Sequence, residues 1–232
     1  MLTQAQVLSA LTAVYDPELD EPITTLGFVG SCVVSAGGDV NVHLRLPTPQ
    51  CAPNFAFLMV SDAREAVRSV PGVRKVGVVL DDHYTGDEIN AAVQRGAGLD
   101  AAFPGECSGD LDALRALFRR KALLARQGRV CTALLASGAE AAAIVALRLE
   151  DLPGSPESVR CVQLRRELDL PWGPDAPALV AGDGTRIPAA ELLTWLRRAR
   201  LVGLSLESNG GLCRSLLRVR HGVPDPTEQE AA

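Results

Sequence analysis

The stretch VNVHLRLPTPQCAPNFAFLMVSDA, residues 40–63, decides the fold of the first half of this chain. Its first seven residues alternate, with Val40, Val42, Leu44 and Leu46 on one side and Asn41, His43 and Arg45 on the other. A period of two sends successive side chains to opposite faces, so this segment is a strand with an apolar inner and a polar outer face. Pro47, Pro49 and Pro53 then fix φ and remove backbone donors, so residues 47–54 form a shaped loop that carries Cys51. After it, Phe55, Leu58, Met59, Ala63, Ala66, Val67 and Val70 recur at spacings of three and four, which predicts a helix with Asn54 as its cap.

The flanks complete a small domain. Residues 27–35 (GFVGSCVVS) are small and β-branched, and Ala36-Gly37-Gly38-Asp39 is a turn signal, so they pair with 40–46 as an antiparallel hairpin. Pro71-Gly72 ends the helix, and Val76, Val78 and Leu80 form a third strand; strand, helix and strand with short connections imply a parallel partner. Thr3 and Gln6 make a capping box ahead of Val7, Leu8, Leu11 and Val14, predicting a helix over residues 3–14. Residues 16–25 (DPELDEPITT) read as an exposed acidic loop. Residues 1–95 are thus expected to be a two-layer α-β-β-α-β domain.

Gly96, Gly98, Pro104, Gly105 and Gly109 place an interdomain linker over 96–109, with Cys107 inside it. Residues 110–222 read as a second, α-rich α+β domain. Its expected helices start at Asp110 and end at Gly128, lie near 130–149, and run over 188–200; Ala178–Ile187 reads as a hairpin and Leu201–Leu206 as a strand. Residues 223–232 read as a disordered tail. The fold class expected for the whole chain is α+β.

Composition narrows the functional classes. Of 232 residues, 47% are hydrophobic and 22% charged, which fits a globular protein and excludes collagen-like or globally disordered chains. Residues 1–107 hold 6 basic and 13 acidic side chains, an acidic balance unsuited to phosphate contacts, so nucleic acid is not an expected partner. No apolar run approaches the roughly 18 residues of a membrane span. No secretory signal is visible at Met1-Leu2-Thr3-Gln4, so the expected location is cytoplasmic and no membrane partner is expected. Six cysteines, at 32, 51, 107, 131, 161 and 213, include no C-x-x-C pair and have no histidine within five residues, so neither a zinc finger nor a ferredoxin-type site is expected. Most are expected to be free, structural thiols.

The ordered set Asp16-Pro17-Glu18, Leu26-Gly27, the hairpin, Thr48-Pro49-Gln50-Cys51, Ser61-Asp62-Ala63 and Pro71-Gly72-Val73 resembles the MIP18 family (DUF59; PaaD-like and SufT-like proteins). The resemblance covers roughly the first 95 residues. It implies a small α/β protein that assembles iron–sulfur clusters or delivers them to target enzymes, with Cys51 as the family's loop cysteine and Asp16 and Glu18 as its acidic signature. Two departures stand out: Ala52 separates Cys51 from Pro53 where the family has Cys-Pro, and His83-Tyr84 stands near where a Pro-Trp element is common.

The residues themselves point the same way. Cys51 lies where a strand gives way to a helix, whose exposed N–H groups and dipole favour the anionic sulfur that binds soft iron. His83, after Asp81-Asp82 at the third strand's carboxyl end, is expected on the same rim and is a second candidate metal ligand. Asp16, Glu18 and Thr48 are candidate binding residues around it. His43 reads as a surface histidine of the outer hairpin face.

These readings make the protein a non-enzymatic maturation factor that carries iron or an iron–sulfur cluster transiently, with no tightly bound cofactor. Its expected partners are a cluster carrier and a client metalloenzyme. One cysteine cannot fill an iron coordination shell, so a carrier, a client or a homodimer must complete it. Two alternatives compete: a metal-free adaptor, whose clients would include multicomponent metal-dependent oxygenases, and a thiol enzyme using Cys51 with His83 or His43 as base.

Overall fold

The computed structural model describes residues 2–105 and 110–223, so of the tail expected over 223–232 only Val223 is described, packed against the core, and residues 224–232, Cys107 and Gly109 lie outside the described residues. The chain divides into two compact units: residues up to Leu111 together with those from Asn209 onward, and Asp112–Ser208.

The first unit opens with α1 (Gln4–Leu11), capped by Thr3 in the expected reciprocal box with Gln6. A two-residue antiparallel pair, β1 (Tyr15–Asp16) and β2 (Glu21–Pro22), follows. The main sheet has β3 (Val29–Val34), β4 (Asp39–Arg45) and β5 (Lys75–Asp81) in the order β3-β4-β5. The hairpin pairs antiparallel and β4 pairs with β5 in parallel, as the sequence pattern predicts. Helix α2 (Pro53–Arg68) makes the crossover. Val40, Val42, Leu44 and Leu46 are buried against Ala56, Met59, Val60, Ala63 and Val67, so the period of two meets the period of 3.6 in one core.

Three details differ from expectation. The cap position of α2 is Ala52 with Pro53 in the first turn, where a missing N–H costs nothing; the Asn54 side chain instead accepts from the Phe55 amide. A further helix, α3 (Gly86–Arg95), follows β5, burying Ile89, Ala92 and Val93. The glycine-rich segment read as a linker contains α4 (Leu99–Ala102), whose Leu99 and Ala102 belong to the same core. Glycines there end α3, with Gly96 in the left-handed region, rather than release the chain.

In the second unit, α5 (Leu111–Ala136) does not stop at Gly128. A Cβ at that position would stand 2.6 Å from the Ala199 Cβ, so the glycine serves close helix packing instead of termination. Helices α6 (Ala141–Ala146) and α7 (Pro156–Glu167) follow. The expected hairpin over 178–187 is reduced to one antiparallel bridge between Val180 and Arg186. The last helix, α8 (Leu192–His221), continues through 201–206, where a strand was expected. Leu192, Trp195, Leu196 and Ala199 are buried at helical spacing, and the leucines that suggested a strand, Leu201 and Leu204, are exposed. From Asn209 onward α8 belongs to the first unit, so the expected domain over 110–222 is cut short at Ser208. Leu217, 1% exposed, joins the first unit's core.

The architecture is α+β. Among the described residues no helix is long and apolar enough to cross a membrane.

Candidate functional site

Cys51 stands in the loop between β4 and α2, half-buried, one residue before the α2 cap. The loop is held from three directions. The Thr48 hydroxyl accepts from the Gln50 amide at 3.2 Å and lies 3.7 Å from the Cys51 sulfur. The Tyr84 amide donates to the Pro49 carbonyl at 3.1 Å. His83 Nε2 donates to the Cys51 carbonyl at 2.8 Å.

That last bond sets the state of the imidazole. With Nε2 carrying the proton, Nδ1 accepts from the Thr85 amide at 3.3 Å and the Thr85 hydroxyl at 3.1 Å. The structure therefore brings His83 to the Cys51 loop, but through the backbone, and both ring nitrogens are engaged. His43 lies elsewhere, on the outer sheet face, with Nδ1 2.9 Å from the Asp81 carboxylate of the neighbouring strand.

The segment read as an exposed acidic loop is folded inward. Leu19, Ile23 and Leu26 are interleaved with the acidic residues and are buried, and the Ile23 amide donates to the Val14 carbonyl at 2.9 Å. Their burial draws the backbone down, leaving Asp16 8% exposed. Asp16 Oδ1 accepts from the Glu18 amide at 2.8 Å and the Leu19 amide at 2.9 Å, closing an Asx turn. Burial raises the Asp16 carboxyl to about 6; those two amides oppose the rise, and the charges of Glu18 and Glu21 add to it.

A feature unread in the sequence is the end of α8. Asn209 donates to Glu18 Oε1 at 3.5 Å, and Arg214 pairs with Glu21 at 2.9 Å. Arg220 donates to the Leu46 carbonyl at 3.5 Å, immediately before the Cys51 loop, and pairs with the Asp82 carboxylate. Beyond the helix, Val223 lies against Gly27, where a Cβ would stand 2.7 Å from its Cγ1 and φ is +76°. The helix thus ties together the acidic turn, the end of β4 and the end of β5.

The same stretch of α8 carries Cys213. Cys213 is partly buried on the same core as Cys51. Its thiol is pushed up to about 12 by burial and by the negative neighbours Asp16, Cys51 and Glu18, with Arg214 opposing. Electrostatics thus link Cys213, a residue that sequence spacing left as structural, to Asp16, Cys51 and Glu18, candidates from separate parts of the sequence. The available signal was the run Asn209, Cys213, Leu217 and Arg220, a helix face at steps of four and three. The other described cysteines, Cys32, Cys131 and Cys161, are buried. Among the described residues, no three metal-binding side chains converge.

Comparison with known proteins places this region. The family described as "Iron-sulfur cluster assembly protein" matches residues 4–79. An uncharacterised protein of Methanocaldococcus jannaschii is 36% identical over 90 residues, 39% of this chain and 93% of that protein. An iron–sulfur cluster carrier protein of Synechocystis is 42% identical over 78 residues, 34% of this chain but only 21% of the carrier. An Fe–S protein maturation auxiliary factor of Porphyromonas gingivalis is 35% identical over 78 residues, 34% of this chain and 72% of that factor. No solved structure matches. Through the β-β-α-β unit that carries the Cys51 loop, this chain belongs to the iron–sulfur cluster assembly protein family.

Proposed function

We propose that the protein is a maturation factor that receives iron or an iron–sulfur cluster and passes it to a client metalloenzyme, with Cys51 as the contact sulfur. The observation that carries this reading is a half-buried thiol, inside the family-matched region, on a loop whose backbone is clamped by His83 and Thr48. A clamped backbone limits the entropy lost when the sulfur takes up cargo.

Thiolate is the ligand that iron and its clusters take from protein. A shell supplied by one loop leaves positions open for ligands from a carrier on arrival and a client on departure, so binding is labile and transfer is by ligand exchange. His83 serves as a positioning residue in this scheme, since Nε2 and Nδ1 are spent on Cys51 and Thr85. That engagement also argues against the thiol-enzyme reading, which needs an imidazole free to take the proton of Cys51. Tyr84, exposed beside the loop and bonded to Pro49, offers an aromatic contact for the partner. Partner identity and oligomeric state belong to the same proposal.

Anaerobic reconstitution with iron and sulfide, followed by transfer to an apo-client, tests it. Wild-type protein is expected to retain iron and activate the client, and Cys51→Ser to lose both. Client activation unchanged in Cys51→Ala would remove the sulfur from the mechanism and support a metal-free adaptor.

A further inference from the structure

We propose that a cavity in the second unit, walled by apolar side chains and rimmed by three cations without carboxylate partners, binds a small organic anion: one acidic head group on a compact apolar body. This goes beyond the maturation reading and is independent of it.

The cavity is lined by residues of α5, α8 and the segment 180–182, and measures about 240 Å³. That volume suits a small ligand and is too little for a dinucleotide. Leu123, Leu124, Val180 and Trp195 supply its apolar surface. Arg120 and Lys121 line it from α5 and Arg198 from α8, and no carboxylate lines it.

The sequence sets these three cations apart from their neighbours. On a helix the usual partner of a cation is an acid three or four positions away, and Arg120, Lys121 and Arg198 have none there. The adjacent Arg119 pairs with Glu167, and Arg126 and Arg129 share Glu157. Among the described residues, no ion pair forms at Arg120, Lys121 or Arg198. Arg120 Nε donates to the Gly182 carbonyl at 3.2 Å, and Lys121 Nζ stands 4.5 Å from the centroid of the Phe118 ring. Asp183, the acid of the adjoining turn, accepts from the amide and hydroxyl of Thr185 and does not line the cavity.

The hydrogen-bonding capacity of the wall is equally one-sided. Gln127 Oε1 already accepts from Arg165 and from the Val180 amide. The carbonyls of Val180, Ala181 and Gly182 accept from Gln127, the Gly184 amide and Arg120. A donor is left over: Trp195 is 9% exposed, and among the described residues its buried indole Nε1 has no acceptor, a state that buried indoles normally avoid. Spent acceptors and unmatched donors select a ligand rich in acceptors, and the apolar wall selects one that carries hydrocarbon. The acidic head belongs at the rim with the three cations, and the body belongs against Leu123 and Trp195.

Nuclear magnetic resonance of the full chain tests this. The protein has two tryptophans, Trp172 and Trp195, so its proton–nitrogen spectrum holds two indole signals, and Trp195→Phe identifies the relevant one. Trp172 does not line the cavity and is the internal control. Titration with octanoate or octyl phosphate is expected to shift the Trp195 signal saturably and to leave the Trp172 signal in place. Neutral 1-octanol should bind at least about 10-fold more weakly, because the rim cations gain no counter-charge. Lys121→Gln and Arg198→Gln, both at exposed positions, should each weaken octanoate binding about 2- to 5-fold, and added salt should weaken it further. Binding of one anion and not the other supports the site and fixes its head group. Octanol binding as tightly as octanoate, or an octanoate affinity unmoved by both variants and by salt, overturns the anion site. The absence of a saturable Trp195 shift, or an equal shift at Trp172, overturns the cavity as its location.

Discussion

Each unit of this protein buries a charged side chain, and the two are treated differently. In the second unit, Arg165 is fully buried and donates to the carbonyls of Pro171, Pro177 and Ala178 and to Gln127 Oε1. Gln127 in turn bonds both the amide and the carbonyl of Val180. One guanidinium thus replaces a sheet that the segment 171–180 does not form, stitching irregular backbone to α5 and α7. In the first unit, Asp16 has two amide donors, both on Oδ1, and feels the negative charges of Glu18 and Glu21. Burial there raises its carboxyl to about 6. A buried charge surrounded by acceptors organises structure, whereas a buried carboxylate among its own kind costs stability. Such a cost is characteristic of a binding rim.

The comparison can be broken most forcefully at Arg165. Arg165→Met leaves several buried carbonyls without donors and should destabilise the protein by about 3–5 kcal/mol. Urea denaturation reads the loss, and hydrogen exchange should show lost amide protection concentrated in residues 147–187. Unchanged stability would show that the network is ornamental.

Asp16→Asn should act in the opposite direction. Its carboxyl titrates near 3.8 unfolded and about 6 folded, so between those values the native state holds more protons than the unfolded state. Stability from this group therefore falls as pH rises from about 4 to about 6 and stays lower above that. Asn can still accept from the Glu18 and Leu19 amides, so the variant should gain up to about 3 kcal/mol at pH 7.5 and nothing below pH 4. Thermal melts across pH measure the difference. Equal pH dependence in wild type and variant would show that Asp16 bears no such cost.

The smallest effect is expected at His83. His83→Ala removes one bond to the Cys51 carbonyl and should cost about 0.5–1.5 kcal/mol. Its more telling consequence is faster alkylation of Cys51 by iodoacetamide, since the loop loses a clamp. An unchanged alkylation rate would reduce His83 to a bystander.

Legibility followed range. The strand at 40–46 declares itself because its pairing partner and its core face follow from alternation and an adjacent turn. The helix after Cys51 is equally local, although its cap is Ala52, since Pro53 already supplies what Asn54 was expected to. The segment 16–25 misleads because its charges suggest solvent, while Leu19 and Ile23 need the core, and apolar burial prevails over exposed charge. Gly128 and the leucines near 204 mislead for a different reason. The helix-breaking preference of glycine is weak and is overridden at Gly128 by close packing against Ala199, while leucine fits a helix readily, so Leu201 and Leu204 lie exposed along α8.

By itself, the sequence determined the family, the hairpin and crossover, and the place of Cys51 at the joint between strand and helix, because each rests on residues a few positions apart. Only the tertiary structure decided that the end of the last helix belongs to the first unit, that Cys213 packs on the same core as Cys51, and that His83 holds a carbonyl. Those juxtapositions join distant parts of the chain, and their free energy comes from a shared core and from ion pairs that exist only once the chain has closed on itself.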